Sequence, residues 1–105
     1  MAQGSVHENP NPRTKGDIPF LLDVQSDLFS TLSTRVVVPL YRAEVAGPQV
    51  MTRLTPVVAF QGRTLVAMVP ELAGIPRREL GPVSGDLAAS RTEILQAIDL
   101  LLTGF

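Results

Sequence analysis

The stretch Leu21-Leu22-Asp23-Val24-Gln25-Ser26-Asp27-Leu28-Phe29, with Thr34-Arg35-Val36-Val37-Val38-Pro39-Leu40 shortly after it, decides the fold. An apolar run passes into a short polar segment, and a β-branched run follows. Short runs of this kind, bounded by polar turn formers, read as strands. Val36-Val37-Val38 is continuous rather than alternating, as expected of a strand covered on both faces. Pro39 cannot donate to a ladder, so a bulge, a bend or an edge is expected there.

Working outward, Asn9-Pro10-Asn11-Pro12-Arg13-Thr14-Lys15-Gly16 is rich in turn formers and reads as a loop between a first and a second strand. The second strand is expected over Ile18 to Val24, with Pro19 tolerated near its start. The third is expected to resume through Tyr41 to Val45 and to end at Gly47-Pro48. Val57 to Phe60 and Thr64 to Val69 flank Gln61-Gly62-Arg63, a hairpin signal, and Pro70 ends the second of these runs. Ile75-Pro76 and Gly81-Pro82 read as turns with one short strand at most. Short strands with turn signals at intervals of about ten residues point to a compact antiparallel barrel or sandwich. The last segment changes period. Leu87, Ile94, Ile98 and Leu101 form one helical stripe, with Leu95 and Leu102 beside it. Asp86 is one N-cap; Ser90 with Glu93 forms a capping box one turn later; Gly104 is a natural stop.

A chain of 105 residues is read as one domain spanning residues 1–105. Its 45% apolar content is that of a globular protein. A net charge of −1 gives no basic surplus for nucleic acid, and no sequence-specific nucleic-acid binding is expected. Cysteine is absent, which excludes disulfides, thiolate-held zinc and a thiol nucleophile. The first eight residues lack the basic and apolar regions of a secretory signal. No apolar run reaches the roughly 20 residues needed to span a bilayer. The expectation is a soluble cytoplasmic protein with no membrane partner.

Few side chains suggest chemistry. His7 is the only histidine, and its place near the chain start suits a surface or strand position. Asp23 and Asp27 suggest a carboxylate pair, but Asp27 suits a turn cap better. Arg77-Arg78 with Arg63, Arg53 and Arg42 are charges scattered over strand and turn surfaces. No phosphate cradle, nucleophile elbow or metal-ligand spacing is visible, so no catalytic residue, metal or cofactor is assigned. On the C-terminal helix, Leu95, Asp99, Leu102, Thr103 and Phe105 cannot all point inward. A partner surface at that end is therefore plausible, with Phe105 as an anchor.

The Leu21–Phe29 stretch and the Val36–Leu40 run resemble the CcdB family, the toxin half of a bacterial toxin–antitoxin pair. Leu54-Thr55-Pro56-Val57-Val58 looks like that family's Leu-x-Pro-Val-Val strand, and Leu72-Ala73-Gly74-Ile75-Pro76 its Met/Leu-Ala-x-Val/Ile-Pro turn. Asp86-Leu87, Ile94 and Gly104-Phe105 match its C-terminal helix and tail. The resemblance implies a small antiparallel SH3-like barrel of the CcdB and MazF type with a C-terminal α-helix. It also implies a homodimer that binds the A subunit of DNA gyrase, traps its cleavage complex and is neutralised by a CcdA-like antitoxin. No covalent chemistry belongs to the toxin, so it is not an enzyme. The family's gyrase-contacting positions match Leu28, Phe29, Asp99, Thr103, Gly104 and Phe105 here. Thr103 stands where the best-known toxic members carry tryptophan, and Asp99 where they carry asparagine. Gly4-Ser5 replaces an aromatic position, so a shortened or frayed first strand is expected.

Two rival readings follow from the same residues. Ribonuclease toxins of the MazF and Kid type share the barrel, but no arginine and acid–base residues at a recognisable spacing support an endoribonuclease. A CcdB-like interaction module that has lost gyrase activity is kept open by Thr103.

Overall fold

The computed structural model describes residues 2–47 and 53–104. Seven strands run in chain order: β1 (Ser5–Glu8), β2 (Phe20–Asp23), β3 (Thr34–Arg42), β4 (Val57–Phe60), β5 (Arg63–Ala67), β6 (Ala73–Pro76) and β7 (Val83–Asp86). Helix α1 (Ala43–Ala46) is a single turn, and α2 (Arg91–Thr103) follows the last strand. The strands form one sheet in the order β4-β5-β3-β2-β1-β7, with β6 also on β3, and every pairing is antiparallel.

Strand β3 is the hub. One edge pairs with β2 from Phe20↔Leu40 to Asp23↔Val37. The other edge takes β6 from Thr34↔Pro76 to Val37↔Ala73 and then β5 from Leu40↔Ala67 to Arg42↔Leu65. Pro39 stands at the change of neighbour. Its carbonyl accepts from the Met68 N–H at 3.0 Å, so the donor it lacks belongs to the same edge, where β6 has ended and β5 has not begun. A proline costs no ladder bond there.

The sheet curls until β7 approaches the β4–β5 hairpin. Gln61 Nε2 donates to the Ser84 carbonyl at 2.8 Å. The Phe60 ring lies so close to Gly85 that a Cβ there would sit 2.9 Å from its Cε1. Phe60 also meets Phe20 edge to face, with ring centroids 5.1 Å apart. The curled sheet is a half-barrel around a core that includes Val6, Leu22, Val38, Leu40 and Leu65. Each such side chain contributes about 1.5–3 kcal/mol on burial. Helix α2 covers this core with Ile94 and Ala97, while Ile98 packs at its margin.

Several elements differ from the sequence expectation. The third strand ends at Arg42 rather than Val45, because Ala43-Glu44-Val45-Ala46 is made of helix-compatible residues and forms α1. Gly47 closes that turn at φ 75°; Pro48 lies outside the described residues. The region after Pro70 holds two strands, β6 and β7, not one at most. Pro76 ends β6, where a missing donor is tolerated. The fifth strand stops at Ala67, and Val69 opens a 3-10 turn with Pro70. The first strand is not frayed. Gly4 uses φ 92°, donates to the Asp23 carbonyl at 2.7 Å and accepts from the Leu87 N–H at 2.8 Å. Asp86, expected as an N-cap, stands one residue before Leu87, the N-cap of the 3-10 turn Ala88–Ser90, and its Oδ1 accepts from the Ala88 N–H at 2.9 Å. Ser90 stands at the helix N-cap without a side-chain hydrogen bond. Leu101, placed inside by periodicity, is 37% exposed; of α2, Ile94, Ala97 and Ile98 are the residues that pack on the core.

Tyr41, the only tyrosine in the chain, ties β3 to the 3-10 turn Val69–Glu71 by donating to Glu71 Oε1 at 2.5 Å. Burial first, then the hydrogen bond and charge of Glu71, then the charge of Asp17, push its pKa up to about 12. The fold therefore favours the neutral phenol. That contribution is complete below the ordinary tyrosine value of about 10 and is lost as pH rises through about 12. An ultraviolet phenolate titration of the folded chain is expected to show its midpoint near 12, and Glu71→Gln is expected to lower it. A midpoint near that of free tyrosine in the unmodified protein contradicts this.

Candidate functional site

The residues opposite the core alternate with those facing it. Asp23 opposes Val37 across the β2–β3 pair, and Arg35 lies two residues back on β3, so their side chains share one face. Both side chains are fully buried. Arg35 Nε donates to Asp23 Oδ2 at 2.8 Å and Nη2 donates to Oδ1 at 3.0 Å. The bidentate fork gives the pair its geometry. Arg35 Nη1 finds no hydrogen-bond partner among the described residues. His7 shares this face through its register with Leu21. It is a strand residue only 2% exposed, not a surface one, and its Nδ1 lies 3.0 Å from the Gly81 carbonyl. A Cβ at Gly81 would collide with the Glu8 backbone carbonyl, so this close crossing needs glycine.

Asp23 also begins the polar segment that follows β2. Its Oδ1 accepts from the Gln25 N–H at 3.0 Å. Gln25 Nε2 donates to the Phe29 carbonyl at 3.0 Å, and Gln25 Oε1 accepts from the Val36 N–H at 3.0 Å. Ser26 Oγ accepts from the Leu28 N–H at 3.2 Å, capping the 3-10 turn Asp27–Phe29. Asp27, expected as the cap, instead accepts from the Gln3 N–H at 2.6 Å. Every polar side chain of Asp23-Val24-Gln25-Ser26-Asp27 thus holds the turn or its flanks. What the turn presents is apolar: Leu28 is 82% exposed and Phe29 49%, with Leu32 just beyond.

Of the other expected site residues, Asp99 and Thr103 lie on the last turn of α2 and Gly104 is its C-cap. Asp99 and Thr103 are exposed, and Thr103 Oγ1 donates back to the Asp99 carbonyl at 2.6 Å. Gly104 is left-handed at φ 78° and its N–H donates to the Leu100 carbonyl at 2.9 Å, a helix-ending glycine as expected. Leu102 beside them is 72% exposed. Phe105 lies outside the described residues. The turn is tied to the start of α2, not to its end, since Gln3 Oε1 accepts from Arg91 Nε at 3.1 Å. Thr103 is twelve residues beyond Arg91, about 18 Å along the axis at ~1.5 Å per residue.

The described residues contain no group of three or more side chains suited to a metal ion. No described helix is long and apolar enough to cross a membrane. Of the arginines considered as a patch, Arg42 faces Asp17 and Glu44, each at 3.7 Å, and Arg63 lies over the Phe20 ring. A cleft of about 420 Å³ on the polar side of the sheet is lined by Asn9 to Pro12, Leu21, Ile75 and Glu79. Sequence reasoning missed the Asp23–Arg35 pair and the work of Gln25 and Gln3. One signal was present: a lone acid inside one apolar run and a lone base at the head of another.

The half-barrel with its C-terminal helix is a fold shared with solved structures. A solved structure described as an endoribonuclease in complex with its cognate antitoxin from Mycobacterial species matches it with a TM-score of 0.74. The identity is 15%, over 97% of this chain and 94% of that one. A second, an endoribonuclease from Mycobacterial species, matches with the same TM-score and identity over 97% and 90%. The family model for the CcdB protein matches residues 3–104. The chain belongs to the CcdB family of toxin–antitoxin toxins.

Removing one partner of a buried ion pair strands the other charge without water, at about 3–5 kcal/mol. Arg35→Ala is expected to lose stability on that scale in urea unfolding, while the paired replacement Asp23→Leu with Arg35→Met recovers most of it. Equal losses in both variants contradict a charge-based explanation.

Proposed function

We propose that this protein is a toxin that acts by binding. It engages the A subunit of DNA gyrase and stabilises the cleavage complex, works as a homodimer in the cytoplasm, and is neutralised by a CcdA-like antitoxin. The observation that carries the reading is Leu28, 82% exposed on a turn whose polar side chains hold it in place. An exposed apolar residue on an organised turn is a feature of partner surfaces. Family membership supports the toxin role, and a structural neighbour in complex with its cognate antitoxin supports an antitoxin partner. Leu28, Phe29, Asp99, Thr103, Gly104 and Phe105 are the proposed gyrase-contacting residues. No cofactor and no bond-making step belong to this reading.

The second reading, an endoribonuclease, draws support from the activity named for the two structural neighbours. His7 and Arg35, whose residue types suit such chemistry, are buried within the sheet. RNA cleavage by the purified chain, with gyrase unaffected, would replace the first reading with the second.

Threonine at 103 lacks the π-face that a tail tryptophan offers to an arginine, a contact of about 0.5–2 kcal/mol to which buried aromatic area adds. Supercoiling inhibition by the unmodified protein is expected to be weak. Thr103→Trp is expected to strengthen it by about ten- to a hundredfold, and Leu28→Ala to weaken it. Gyrase inhibition that neither substitution alters contradicts the proposed surface.

A half-barrel of 105 residues that leaves Val57 and Val83 exposed has apolar area for a two-fold interface away from the turn. Light scattering at micromolar concentration is expected to give the dimer mass. A monomer at that concentration contradicts the homodimer.

A further inference from the structure

Gln25 does more for the Leu28–Phe29 turn than the binding reading requires. Its side-chain amide has a donor end and an acceptor end, and each is used on a different element. Nε2 donates to the Phe29 carbonyl at 3.0 Å, on the turn. Oε1 accepts from the Val36 N–H at 3.0 Å, on β3. Its own backbone N–H is fixed by the buried Asp23 carboxylate at 3.0 Å. Glutamate has the acceptor without the donor, and an aliphatic side chain has neither. None of the three residues of the turn is buried. Hydrogen bonds rather than packing therefore set its place: Asp27 ties it to Gln3, and Gln25 joins it to β3.

We propose that Gln25 is the positioning residue of the partner-binding turn: its amide fixes where Leu28 and Phe29 project, and the partner binds that arrangement. The proposal rests on the reading of this turn as a gyrase surface. The physical basis is preorganisation. A turn released from β3 must be ordered when the partner binds, and affinity falls by the fraction of time it is out of place.

Gln25→Glu in the full chain separates the two bonds, because it keeps the acceptor for Val36 and removes the donor to Phe29. The free protein is followed by amide hydrogen exchange and thermal unfolding. Affinity for the gyrase A subunit is measured by calorimetry beside a Leu28→Ala control. Exchange is expected to quicken at Phe29 and Ser30, whose N–H groups close the turn onto the Ser26 and Asp27 carbonyls, and to stay unchanged in β2 and β3. Affinity is expected to fall about tenfold with the thermal midpoint near that of the unmodified protein. Unchanged affinity in Gln25→Glu, while Leu28→Ala weakens binding, overturns the positioning role. A Leu28→Ala variant that binds normally overturns the gyrase reading of the turn. The exchange rates need no partner and then decide the clamp alone: quickened exchange upholds it and unchanged exchange overturns it.

Discussion

Asp23 and Arg35 form an ion pair with no solvent contact on the face of the sheet that turns away from the apolar core. Taking two charges out of water costs several kcal/mol per ion, and only close geometry with further hydrogen bonds offsets it. The fork between the two side chains supplies the geometry, and the Gln25 N–H supplies a further bond to the carboxylate. The arrangement constrains everything nearby. Asp23 must end β2 opposite Val37, Arg35 must enter β3 two residues earlier, and the chain between them must leave the sheet and return within a fixed span. The turn that carries Leu28 and Phe29 is that excursion. The buried charge pair fixes where that excursion leaves and rejoins the sheet, and hydrogen bonds rather than packing hold the turn within it.

The two faces of the sheet divide the work. The side under α2 is apolar and supplies most of the hydrophobic stabilisation. The other side buries His7, Asn9, Asp23 and Arg35, a costlier interior that fixes register, since a one-residue slip of β2 on β3 would break the pair. The exposed large apolar residues include Leu28 and Phe29 on the turn, Leu102 on the last turn of α2, and Val57 and Val83 on β4 and β7.

Much of the fold could be read from residue patterns. Val36-Val37-Val38 marked the hub strand, the Gln61-Gly62 hairpin stands where glycine placed it, and Gly104 ends α2 as expected. Misreadings came where local and tertiary forces part. Ala43 to Ala46 followed helix propensity once β3 had no further partner, and β6 and β7 are strands because neighbours pair with them despite the prolines around them. Leu101 has the right period for the core, but of α2 it is Ile94, Ala97 and Ile98 that pack there. Leu28 and Phe29 were singled out through family resemblance, and the structure places them exposed on a turn. The bonds that hold them were not legible, because Gln25 meets Phe29 and Val36 only after β2 and β3 have paired.

Amide-exchange footprinting of this protein with and without the gyrase A subunit tests the central claim most directly, because it locates a partner on the chain itself. The account predicts protection confined to Ser26–Ser30 and to the last turn of α2 from Asp99 to Gly104, with the edge strand β4 and the Asn9–Gly16 loop unchanged. Protection on β4 or that loop, with the turn and helix end still exchanging freely, would contradict it.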